Sequence, residues 1–102
     1  LLASEDATLK RLSTYPGVEG IILTNEDGQL HYTSLDNNVT FIITPKLLDF
    51  AEMCRSAIRD LDPTNTLLTV RLRTKQKEVM VVAPKQGVRV IAVQKLNLNE
   101  QT

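Results

Sequence analysis

The stretch from Thr44 to Pro63 constrains this chain most. Leu47, Ala51, Cys54, Ile58 and Leu61 recur at spacings of four, three, four and three residues, the period of one helical face. Both ends carry stop signals. Thr44 offers a side-chain oxygen to an N–H of the first turn, and Pro45 suits the first helical position, where its missing N–H costs nothing. Pro63 cannot continue a helix and biases Asp62 away from helical geometry. The spacing predicts a helix over 45–61. Phe50, Met53 and Ala57 add a second apolar row beside the first. One helix on one sheet does not need so wide an arc. Either the helix is deeply buried in its own domain, or one row meets a second chain.

The flanking segments read as hairpin-connected strands. Val18–Thr24 holds the unbroken run Ile21, Ile22, Leu23, which fits a central strand covered on both faces. Gly20 has no side chain and admits close packing there. Asn25–Glu26–Asp27–Gly28 is a hairpin signal, and Gln29–Ser34 is the return strand. Val39–Ile43 is apolar and ambiguous between a backward extension of the helix and a short lead-in. Beyond Pro63, Leu68, Val70 and Leu72 alternate with Thr69, Arg71 and Arg73, as in a half-buried strand. Glu78–Ala83 and Val88–Gln94 complete a set of five. A first helix over Ser4–Leu12 has Ser4 as its cap and Glu5 and Asp6 in its first turn. The order is helix, two strands, long helix, three strands, which implies an α+β fold with a mainly antiparallel sheet.

The totals bound the function. The 102 residues are expected to form one domain over 1–102, with 95–102 as a flexible tail. Twelve Lys+Arg balance twelve Asp+Glu, so no global field draws the chain to nucleic acid or an anionic membrane. Near-neutrality also leaves little repulsion against self-association. No apolar run approaches the ~20 residues of a membrane span. One cysteine excludes an internal disulfide framework and fits a reducing compartment.

Residues that could carry chemistry are sparse. His31 is the only histidine and has no Cys, His or Asp at ligand spacing, so no metal site is expected. Cys54 lies on the apolar stripe, where a thiol is a small core group. Glu52 and Arg55 are spaced as a surface ion pair. No Gly-rich loop cradles a phosphate. Arg71, Arg73, Lys75 and Lys77 alternate, so a regular hairpin would point them to one side. Without interleaved aromatic residues, they read as a solvated face, a guarded strand edge or the rim of a partner site. No catalytic residue, cofactor or small-molecule ligand is expected.

An ordered set of segments resembles the roadblock/LC7 dynein light chain family. These are Thr8–Leu12, Gly17–Ile22, Asn25–Gly28, Ala57–Asn65, Leu72–Val81 with Ala83–Pro84, and Ile91–Gln94. Leu35–Met53 is only loosely similar. The resemblance implies an α/β/α sandwich with a five-stranded antiparallel profilin-like sheet. It also implies homodimers, or heterodimers with a paralogue, in which long helices pack together and third strands pair edge to edge. On that basis Leu47, Phe50, Met53, Cys54, Ala57, Leu68, Val70, Arg71, Leu72 and Arg73 are expected at the dimer interface. A partner helix is expected over the less covered sheet face, at Leu9, Leu12, Ile21 and Leu23. The partner implied is the dynein intermediate chain, in the cytoplasm or an axoneme, as part of a microtubule-associated motor. The alternative is a scaffold that regulates a small GTPase.

Overall fold

The computed structural model describes residues 10–11, 16–67, 69–84 and 86–96. Five strands, β1 (Val18–Thr24), β2 (Leu30–Thr33), β3 (Val70–Arg73), β4 (Lys77–Val82) and β5 (Arg89–Lys95), form one sheet in the order β2-β1-β5-β4-β3. Every neighbouring pair is antiparallel. One long helix, α1 (Asn37–Leu61), joins β2 to β3, the two outermost strands. At 1.5 Å per residue, its 25 residues span about 37 Å, ample to carry the chain across five strands spaced about 4.8 Å apart. The expected first helix lies outside the described residues except for Lys10 and Arg11, which are helical. The tail beyond Leu96 and Leu68 also lie outside them.

Side-chain alternation in β1 loads both faces of the sheet. Ile22 turns toward α1 and packs with Leu48, Ala51, Val70, Val81 and Ile91. Ile21 and Leu23 turn the other way and join Val90, with Tyr32, Met80 and Val82 around them. All three β1 residues are sealed, at 3%, 0% and 0% exposure for Ile21, Ile22 and Leu23. The unbroken apolar run therefore marks the doubly covered strand that it predicts. Gly20 is where α1's lead-in crosses the sheet: a Cβ there would stand 2.2 Å from Leu35 Cδ2. Gly28 closes the β1–β2 turn at φ 87°, a conformation that L side chains rarely adopt. Asn25 braces that turn, its Oδ1 accepting from the N–H groups of Asp27 and Gln29, both at 2.9 Å.

The helix starts earlier than its stop signals predict. Asp36 is the N-cap and accepts from the Asn38 N–H at 3.0 Å. Pro45 lies inside the helix, and Thr44 is a buried interior residue rather than a cap. An interior proline costs about 3 kcal/mol, so packing must offset it. Thr40 supplies part of that packing. It is 2% exposed, and its Oγ1 lies 2.8 Å from Thr33 Oγ1 on β2. The C-terminal stop falls as expected: Asp62 is the C-cap and Pro63 follows it.

Candidate dimer and partner interface

α1 sorts its apolar residues into two opposed faces. Thr40, Thr44, Leu48, Ala51 and Arg55 are buried against the sheet. At about 100° per residue, the opposite face carries Val39, Ile42, Phe50, Met53, Ala57 and Leu61. Met53 is 68% exposed, Leu61 82%, Ile42 58%, Val39 43% and Phe50 36%. Ala57 is also exposed. Lys46 and Asp60 are exposed polar members of the same face. An outward apolar stripe along a whole helix is unusual for a surface element, whose outer face is ordinarily polar. It is the candidate interaction surface of this helix.

The structure separates the ten expected interface residues. Phe50, Met53 and Ala57 face outward together. Leu47 and Cys54 are half-buried beside them and pack against the inner core. Val70 is buried, and Leu72 packs on the same inner cluster, so their side chains serve this protomer's own core. β3 is nevertheless an edge strand, with its outer backbone groups available to another strand. Leu68 lies outside the described residues. Val39 and Ile42 were missed because Pro45 marks a false helix start. The signal that finds them is Asp36, a good cap residue three positions before Val39.

Arg71 and Arg73 project from the sheet face opposite α1, where they converge on Glu78. Arg71 Nη1 donates to Glu78 Oε1 at 3.0 Å and Arg73 Nη2 to Glu78 Oε2 at 3.1 Å. The Arg73 hydrogen bond is the main reason the Glu78 carboxyl titrates below its ordinary range, against the opposing effect of burial. Lys77 pairs with Glu19 at 3.0 Å. The alternating cations therefore do not form a bare basic ribbon.

The expected surface pair of Glu52 and Arg55 needs correction. Arg55 is 7% exposed and donates through Nη2 to the carbonyl of Ala83. Glu52 lies 3.4 Å from Arg55 Nε and 3.2 Å from Arg89 Nη1, so one exposed carboxylate balances two largely buried guanidinium groups. Of the residues expected at a partner site, Ile21 and Leu23 are buried in the protomer. Both pack in the cluster with Val90 on the sheet face opposite α1. Leu9 and Leu12 lie outside the described residues. Cys54 is a half-buried free thiol. Among the described residues no group of three His, Cys, Asp or Glu could hold a metal, and no helix is long and apolar enough to cross a membrane.

Two comparisons bear on this arrangement. The sequence model for the Roadblock/LC7 domain matches residues 5–95. Among solved structures, the chain is similar to a Roadblock/LC7 domain from Streptomyces avermitilis, with a TM-score of 0.74 at 14% identity. The match covers 85% of this chain and 73% of that one. At that identity the likeness is one of fold.

Proposed function

We infer the function from one premise: this chain belongs to the Roadblock/LC7 domain family, a family of non-catalytic scaffolds. On that premise we propose that it acts as a homodimer, or as a heterodimer with a roadblock paralogue. The observation that carries this reading is the outward stripe Val39, Ile42, Phe50, Met53, Ala57 and Leu61 on α1. Burying a large apolar side chain contributes about 1.5–3 kcal/mol, and a two-fold axis uses every such residue twice. The free edge of β3 adds main-chain hydrogen bonds between twins without needing the Val70 and Leu72 side chains.

The partner we assign is the intermediate chain of dynein, so that the dimer is a light chain supporting motor assembly or cargo attachment on microtubules. Support comes from the ordered likeness of 8–12, 17–22, 25–28, 57–65, 72–81, 83–84 and 91–94 to the dynein light chains. Regulation of a small GTPase by the same kind of scaffold is the competing reading. Affinity capture from lysate, followed by mass spectrometry, tests the assignment. Recovery of dynein intermediate chain, with direct binding of its peptides in titration calorimetry, is the expected result. Recovery of a small GTPase without motor chains would overturn the dynein assignment and leave the dimeric scaffold standing.

A further inference from the structure

We propose that a second docking groove, flanking the outer stripe of α1, takes a protein segment that places lysine or arginine beside an apolar anchor. The groove has a volume of about 610 Å³ and runs between the β1–β2 turn and the N-terminal half of α1. Its apolar wall is Leu30, Phe41, Pro45 and Leu48. Phe41 is 71% exposed and Leu30 42%, so the wall is left to water in the protomer. On α1, Phe41 and Pro45 lie on the flank of the outer row, about 120° and 80° around the helix from Met53, while Asp49, about 40° from Met53, borders both surfaces.

Charge complementarity selects the occupant. Glu26, Asp27, Asp49 and Glu52 border the groove, against one cation, Arg89. Arg89 is already engaged by Glu52 at 3.2 Å. Asp27 and Asp49 form no ion pair among the described residues, so the field over the apolar wall is negative. An apolar anchor flanked by ammonium or guanidinium groups matches both features. Two further observations point to a polar ligand. Thr44 lines the groove at 7% exposure, and its Oγ1 has no hydrogen-bond partner. Pro45 has no N–H to give the Phe41 carbonyl four residues earlier, which leaves that acceptor without its usual helical donor. A peptide favours this site over a small cation because the apolar wall contributes nothing to binding an ammonium ion alone.

The test is amide-resolved NMR on the full chain with three synthetic peptides: one alternating lysine with leucine, its glutamate-for-lysine counterpart, and its serine-for-leucine counterpart. Spermidine is the fourth probe. The lysine–leucine peptide should shift signals over 26–30 and 41–52 and should bind more weakly as salt rises. Asp27→Lys with Asp49→Lys should weaken it about tenfold or more. Phe41→Ala should weaken it as well, and this exposed position leaves the fold intact, as circular dichroism would confirm. Shifts centred elsewhere, equal binding of the acidic peptide, or an equal response to spermidine would each overturn the proposal.

Discussion

Arg73 and Glu78 face each other across the β3–β4 pair, and Arg73 Nη2 donates to Glu78 Oε2 at 3.1 Å. The contact secures the outermost strand to the rest of the sheet through a carboxylate that is 10% exposed, whereas the arginine is 66% exposed. An edge strand has only one neighbour to hold its register, and this clamp reinforces that pairing from the face opposite α1.

The Glu78 carboxyl titrates below its ordinary value, so folding favours its charged form. Stability from the clamp is therefore fully present above the unfolded value of about 4.3 and is lost as pH falls through the lower folded value. Glu78→Gln should cost about 1 kcal/mol at neutral pH, a modest figure because both arginines are solvent-screened. The thermal-midpoint gap between wild type and Glu78→Gln should narrow as pH drops below about 4. A gap constant with pH would assign the loss to packing instead.

Gly20 is fixed by Leu35. A Cβ would lie 2.2 Å from Leu35 Cδ2 and 2.5 Å from Cγ, so Gly20→Ala must push the leucine off the core. That overpacking should cost about 1–3 kcal/mol. Leu35→Ala makes room, so the double variant should lose less than the sum of the single losses in urea unfolding. Strict additivity would remove Leu35 as the reason for glycine.

Arg55 is a buried cation in a helix whose inner face is otherwise apolar or hydroxyl-bearing. Arg55→Ala strips the Ala83 carbonyl of its donor and leaves Glu52 with Arg89 alone. Breaking such a buried arrangement should cost about 3–5 kcal/mol, read as a lower urea midpoint. Arg55→Lys should recover only part of it, since one ammonium cannot reproduce the guanidinium fork. Full recovery by lysine would reduce the role of Arg55 to charge alone.

The sheet was legible because its signals are local. The run at Ile21–Leu23 marks a doubly covered strand, Asn25–Gly28 marks a turn, and the alternation around Val70–Arg73 marks a strand with one buried face. The helix start was only partly legible: Val39–Ile43 was open to being a backward extension of the helix, which it is, but Asp36 was missed as the cap. Pro45 favours a first-turn position, and only the contact of Thr40 with Thr33 and the cap at Asp36 show why the helix runs through it. The site was half legible for the same reason. Period separated the row of Phe50, Met53 and Ala57 from the row of Ala51 and Ile58, but it put Leu61, 82% exposed, in the wrong row, and it did not say which row meets the sheet. Ala51 at 1% exposure and Met53 at 68% assign them. The correction at Arg55 has the same kind of cause: burial of a side chain depends on what the fold brings over it, which spacing along one element does not encode.

Met53→Asp tests the dimer most directly. Met53 is exposed in the protomer, so aspartate there leaves the fold intact, which circular dichroism would verify. Across a two-fold axis it would set two carboxylates into an apolar contact, each without a partner. Light scattering should give a dimer mass for the wild-type protein and a monomer mass for the variant. A wild-type monomer, or a variant that keeps the dimer mass, would contradict the assignment of α1's outer stripe to a twin helix.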